Sequence, residues 1–119
     1  SKVTLFKATA QTDEGPILYK ENISLCGNLQ DVFYHIEHAT TSLLVKFFNN
    51  YPNIPETKQI SLDTKKRRTP EMSEIKLEDF TNMTAKELYN KIRCLQNPYP
   101  NAFVSCKNDT ILYFTGAKL

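Results

Sequence analysis

The sequence is poor in glycine and cysteine, contains no tryptophan and has no long apolar run. It has 119 residues, of which three are glycine and three are cysteine. So few glycines exclude a glycine-rich phosphate-binding loop. Three scattered cysteines cannot build a disulfide framework, so we expect reduced thiols in a cytoplasmic protein. No apolar run approaches the roughly 20 residues that a membrane-spanning helix needs, and we therefore expect no membrane partner.

An excess of charge of one sign is also lacking. Fifteen Lys and Arg residues stand against 13 Asp and Glu residues, which leaves a formal net charge of +2. This balance provides no electrostatic argument for a dedicated nucleic-acid or membrane-surface protein. Apolar residues make up 40% and charged residues 24% of the chain, as is typical of a folded globular chain rather than a disordered one.

The first fifty residues predict two strands followed by a long helix. Residues 3–9 and 17–25 are rich in β-branched and aromatic side chains, and a turn at residues 13–16 separates them. Asn28 is a suitable N-cap for the helix, which should end at residues 49–52. Apolar residues at helical spacing should pack on the two strands; they are Leu29, Val32, Phe33, Ile36, Leu43, Leu44 and Phe47.

Residues 51–119 predict a polar, proline-containing part with one clear helix. Thr84 and Glu87 form a T-x-x-E capping box for a helix at residues 85–96. The whole pattern predicts an α+β fold with a small mixed sheet and two amphipathic helices. Extended segments are predicted at 57–62, 73–77, 102–106 and 110–115, the last two as a hairpin around residues 107–109.

Two polar groupings are weak candidates for sites. His35 and His38 have the i, i+3 spacing of a metal pair on the long helix, but the third and fourth ligands are not evident. We therefore expect partly exposed helix histidines and no metal site. The basic run at residues 65–68 suits either phosphate binding or a solvated loop.

Asp13 is the candidate that carries chemistry. It follows a strand and precedes Gly15, which permits unusual backbone angles and the close approach of a ligand. A carboxylate at a strand-end turn is a common place for a general base or for a group that orients a histidine. Structural turns of the same composition are more frequent than catalytic ones, so this spacing leaves both interpretations open.

Three segments in order resemble the folate-dependent formyltransferase family. The first runs from the strand at Val3-Thr4-Leu5 through Asp13-Glu14-Gly15-Pro16 to the long helix. The second, residues 67–75, resembles the R-R-x-P-E-x-x-x-I segment of sugar N-formyltransferases. The third, from Ile92-Arg93 to residues 97–103, resembles the I-R-a-l-x-x-P-y-P-x-A-f segment of sugar and methionyl-tRNA formyltransferases. The resemblance implies the C-terminal half of an α/β formyltransferase fold.

The same resemblance implies roles for six residues. Asp13 falls on the catalytic Asp of the family, and the main chain of Ala10, Gln11 and Thr12 falls where the family contacts the pterin of N10-formyltetrahydrofolate. In the sugar branch, Arg67 and Arg68 would bind the diphosphate of a nucleotide-linked amino sugar. The implied division places the end of the catalytic domain at residues 1–50 and a C-terminal subdomain at 51–119.

The family's catalytic Asn and His lie in an upstream half, so the resemblance implies that this segment alone is inactive and belongs to a longer chain. A methionyl-tRNA formyltransferase fragment is the second interpretation, and only it would involve nucleic acid. A non-catalytic binding module of the same ancestry is the third. Apolar surface left uncovered in the isolated segment predicts self-association, with a homo-oligomer as the expected assembly.

Overall fold

The computed structural model describes residues 1–60 and 65–119. The chain divides into two compact units, Ser1–Thr64 and Lys65–Leu119. Residues 51–60, which we assigned from the sequence to the second part, belong to the first unit. Thr57 explains this placement, because it exchanges two backbone hydrogen bonds with Ile17, at 2.7 and 2.8 Å. Residues 61 and 62 of the predicted extended segment at 57–62 lie outside the described residues.

The first unit is an antiparallel strand pair covered by one long helix. Strand β1 (Lys2–Phe6) pairs with strand β2 (Ile17–Asn22), and helix α1 (Leu29–Asn50) follows. Both strands are shorter than predicted. The register shifts between Leu5 and Phe6, and the chain then leaves the sheet to form the loop that carries Asp13.

The N-terminus of α1 is capped as predicted. Asn28 accepts a hydrogen bond from the Asp31 amide at 3.1 Å, and the Asp31 carboxylate accepts one from the Asn28 amide at 2.9 Å. This reciprocal pair satisfies two amides that the first helical turn leaves without partners.

Helix α1 packs on the strands through a narrower stripe than predicted. Leu29, Ala39 and Leu43 are buried, whereas three residues assigned to the same face are exposed: Phe33, Ile36 and Leu44, at 36, 37 and 41%. Two strands spaced about 4.8 Å apart cover only part of the circumference of a helix, so the outer edge of its apolar face stays uncovered. Self-association through such surface stays a prediction.

The second unit combines short helices with a hairpin. Ile75, Ile92 and Ala102 form its buried core, against which Leu88, Leu95 and Phe114 pack. Its elements are a 3-10 turn at Pro70–Ser73, helices α2 (Asp79–Asn82) and α3 (Ala85–Arg93), and strands β3 (Ala102–Ser105) and β4 (Ile111–Phe114).

The predicted hairpin is present, and the predicted extended segment at 73–77 is present in part. Strands β3 and β4 pair antiparallel from Ala102↔Phe114 to Ser105↔Ile111. Glu74 forms an isolated parallel bridge to Phe103, and the Ile75 amide donates to the Phe103 carbonyl at 2.7 Å. The α+β class is therefore confirmed, with the described strands arranged as two antiparallel pairs.

The predicted capping box of α3 is also present, although the helix ends at Arg93 rather than at residue 96. Glu87 accepts hydrogen bonds from the amide and the hydroxyl of Thr84, both at 2.7 Å. These bonds, the one from the amide above all, lower the pKa of the Glu87 carboxyl below its ordinary value of 4.5.

The lowered pKa predicts an acid-sensitive helix terminus. A folded-state pKa below 4.5 means that ionised Glu87 stabilises the fold above that pH, and that this contribution is lost as the pH falls through the folded-state pKa. Glu87→Gln should therefore lower the melting temperature at neutral pH, and the gap to the wild type should close in acid. Glu78→Gln is the matched control, since the Glu78 side chain is exposed and makes no hydrogen bond to the residues that the structure describes. A gap that persists at the lowest pH would contradict the assignment.

Candidate functional site

Asp13 sits at the tip of an exposed turn, residues 9–16, here called the Asp13 turn. Its φ of 58° lies in the left-handed region, which aspartate tolerates better than most residues because its side chain is short and polar. Within the described part of the chain, its carboxylate makes no hydrogen bond or ion pair. The carboxylate is therefore open to a ligand and is not held in local turn bonds.

The base of the turn is a close crossing of two backbone segments. Gly15 is buried, and a Cβ atom added to it would lie 1.6 Å from the carbonyl oxygen of Lys7. The Lys7 amide also donates a hydrogen bond to the Pro16 carbonyl oxygen, at 3.0 Å. Only glycine fits at position 15, because any side chain there would overlap the Lys7 carbonyl oxygen.

Gln59 binds the turn from a distant part of the chain, and no motif in the sequence indicates this contact. Its Nε2 donates to the carbonyl oxygens of Asp13 and Gly15, at 2.9 and 2.5 Å. The residue lies 46 positions beyond Asp13, in a segment without a periodic pattern or a known motif. No local signal in the sequence connects the two.

The loop before Asp13 lies at the surface, where its main-chain groups can be reached by a ligand. Ala10, Gln11 and Thr12 are exposed. The Gln11 carbonyl accepts a hydrogen bond from the Thr9 hydroxyl at 3.0 Å, which stiffens the loop. The peptide groups of Ala10 and Thr12 are not bonded to any residue that the structure describes.

The adjacent arginines Arg67 and Arg68 of the second unit differ in their surroundings. Arg68 donates from Nη2 to the Met72 carbonyl at 3.1 Å and to the buried Ser73 hydroxyl at 3.3 Å, and so supports the 3-10 turn. Arg67 is exposed and has no such contact among residues 1–60 and 65–119. Of the pair, Arg67 has the guanidinium group without a hydrogen-bond partner among the described residues.

The helix histidines have local partners. His35 donates from Nδ1 to the Ser24 carbonyl, and His38 donates from Nδ1 to the Tyr34 carbonyl, both at 3.0 Å. Both line a groove of about 270 Å³ on the first unit, and Asp13 does not. The described residues contain no group of three or more His, Cys, Asp or Glu side chains placed to hold a metal ion.

Solved structures identify this fold. No protein-family model and no curated protein sequence matches the chain. A methionyl-tRNA formyltransferase from Clostridium thermocellum matches with a TM-score of 0.70 and 23% identity over 96% of this chain and 54% of its own. A 4-N formyltransferase from Francisella tularensis matches with a TM-score of 0.75 and 19% identity over 98% of this chain and 51% of its own.

The chain thus has a formyltransferase-family fold, as the resemblance of its motifs predicted. It spans about half the length of the two structures that it matches. Among the described residues, no helix is both long enough and apolar enough to cross a bilayer.

The close crossing at Gly15 predicts a large effect of one methyl group. Gly15→Ala would place Cβ on the Lys7 carbonyl oxygen, so the first unit should lose about 2 kcal/mol or more of stability. Gly116→Ala is the control, because its added Cβ would meet only the flexible Gln96 amide, at 3.9 Å. Urea denaturation of both variants checks the difference, and equal midpoints would contradict the crossing.

Proposed function

We propose that this chain is the C-terminal part of an N-formyltransferase that transfers a formyl group from N10-formyltetrahydrofolate to the amine of a nucleotide-linked amino sugar. One observation carries the proposal: in a formyltransferase-family fold, Asp13 presents a carboxylate without a protein partner on a turn whose backbone is held from two sides. The chemistry of formyl transfer needs such a group.

Asp13 acts on the proton that the attacking amine loses. The amine nitrogen would bond to the formyl carbon and lose a proton, and the bond from that carbon to N10 would break as N10 takes up a proton and tetrahydrofolate leaves, so that no net proton is released. The carboxylate of Asp13 accepts this proton, or holds a histidine from the upstream half that accepts it. The catalytic Asn and His that the resemblance implies would stabilise the oxyanion from the same half.

The loop at Ala10–Thr12 suits a pterin. A pterin ring presents hydrogen-bond donors and acceptors along one edge, and the unpaired peptide groups of Ala10 and Thr12 provide complementary partners. Because recognition would use the main chain, the identity of these side chains matters little. N10-formyltetrahydrofolate supplies the formyl group when it is bound there.

Arg67 is the residue that we assign to the diphosphate of the acceptor. A guanidinium group matches two phosphate oxygens at once, and the Arg67 side chain is exposed. Arg68 plays a different part, because its guanidinium already holds the turn at Pro70–Ser73. The two adjacent arginines of the motif therefore have different roles in this proposal.

Methionyl-tRNA is the second candidate acceptor, favoured by the match to the Clostridium thermocellum structure. Assays of the natural gene product with a nucleotide-linked amino sugar and with methionyl-tRNA separate the two. A gene product inactive on both acceptors would favour the non-catalytic binding module. We place the protein in the cytoplasm, a compartment supported by its three free thiols, Cys26, Cys94 and Cys106.

Removing the charge of Asp13 should abolish most of the activity. Asp13→Asn keeps the size of the side chain and tolerates the left-handed backbone, so kcat of the natural gene product should fall by about 100-fold or more with folding intact. Glu14→Gln, the neighbouring exposed carboxylate, should leave kcat unchanged. Steady-state kinetics measure both, and near-normal turnover of Asp13→Asn would remove Asp13 from the mechanism.

Arg67→Gln should weaken binding of the sugar nucleotide without slowing the chemistry. Loss of a charged contact to the diphosphate predicts a rise in KM of about tenfold with kcat maintained. Lys65→Gln is the control, because Lys65 belongs to the same exposed basic run. An equal rise in both variants would point to a general effect of charge and not to a specific phosphate contact.

A further inference from the structure

We propose that Gln59 is a positioning residue, which holds the Asp13 turn in the conformation that presents the carboxylate. The inference rests on the proposed function for its catalytic consequence, whereas its structural part concerns this chain alone. Residues 56–59 are here called the brace. Gln59 lies 46 and 44 positions beyond Asp13 and Gly15, which it contacts in the turn, and Glu56 lies 49 positions beyond Lys7, which it contacts just before the turn.

The hydrogen-bond partners of Gln59 fix the orientation of its side-chain amide. Both partners are carbonyl oxygens, at Asp13 and Gly15, and carbonyl oxygens only accept hydrogen bonds. The nitrogen end of the amide must therefore face the turn. One side-chain amide thus satisfies two carbonyls on either side of Glu14.

The rest of the brace fixes the position of Gln59. Thr57 pairs with Ile17, the first residue of β2, through two backbone hydrogen bonds of 2.7 and 2.8 Å. Glu56 pairs with Lys7 at 3.1 Å, although both side chains are half-exposed and the pair contributes little energy. The brace therefore contacts both arms of the turn as well as its tip.

The backbone of Asp13 explains why such a brace is needed. A residue other than glycine with a φ of 58° is held in a sparsely populated region, and it stays there only when its surroundings over-determine it. Gln59 binds the carbonyl of that same residue. Without this bond, the tip of the turn would relax toward commoner backbone angles and carry the carboxylate with it.

The test uses variants that remove the donor and keep the length of the side chain. Gln59→Glu places a carboxylate against two carbonyl oxygens, and Gln59→Met removes the polar group without adding charge. Lys58→Met is the matched control, because Lys58 is the exposed neighbour without a contact to the turn. Gln59→Met keeps the test valid if Gln59→Glu does not fold.

Amide hydrogen exchange of the natural gene product, read on peptides covering residues 5–19, reports on the turn without reference to activity. Exchange at Lys7 and Ile17 should accelerate roughly tenfold or more in both Gln59 variants, with residues 29–50 and the Lys58→Met control unchanged. In steady-state kinetics, kcat should fall about 10- to 100-fold while KM for the amine stays within about twofold.

The outcomes separate the inference from the proposed function. Unchanged exchange in both Gln59 variants would overturn the inference, whatever the protein catalyses. Faster exchange with unchanged kcat, in a protein that Asp13→Asn inactivates, would overturn the positioning role. An active Asp13→Asn variant would instead overturn the proposed role of Asp13, while exchange would still decide whether Gln59 holds the turn.

Discussion

The contact between the backbone at Gly15 and the Lys7 carbonyl is the constraint on which the first unit depends. It brings the two arms of the Asp13 turn together so tightly that a side chain at Gly15 would overlap the carbonyl oxygen of Lys7. The Lys7 amide and the Pro16 carbonyl are hydrogen-bonded at the same place. What is proposed for Asp13 depends on this closure of the turn.

The turn also shows how one site is assembled from distant parts of a chain. The strand pair provides a scaffold, and the loop provides the carboxylate and the main-chain groups before it. Residues 56–59 return from the far end of α1 to bind the turn. Rigid support behind an exposed functional group is what a proton acceptor needs, because small displacements of a catalytic group are costly.

In the second unit the two neighbouring arginines have different surroundings. Arg68 supports the backbone of the 3-10 turn through the Met72 carbonyl and the Ser73 hydroxyl, while Arg67 extends into solvent. Two adjacent residues of a short motif therefore differ in their contacts, and only Arg68 supports the backbone of the second unit.

The local elements of this protein follow from its sequence. The helix N-caps at Asn28 and Thr84 depend on residues three positions apart, and the hairpin around residues 107–109 joins strands that are neighbours along the chain. The motifs also led to the correct fold family, because their order along the chain is itself sequence information. Asp13 was singled out because it belongs to a motif, and its catalytic role stays a prediction.

Three features became visible only in the folded chain: how much of the apolar face of α1 is buried, that residues 51–60 belong with the first unit, and that Gln59 binds the Asp13 turn. The physical reason is the same in each case. These contacts join residues tens of positions apart, and nothing in the local propensity of either partner indicates the other. Helical periodicity showed how wide the apolar face of α1 is, but the width of a two-stranded sheet set how much of that face is covered.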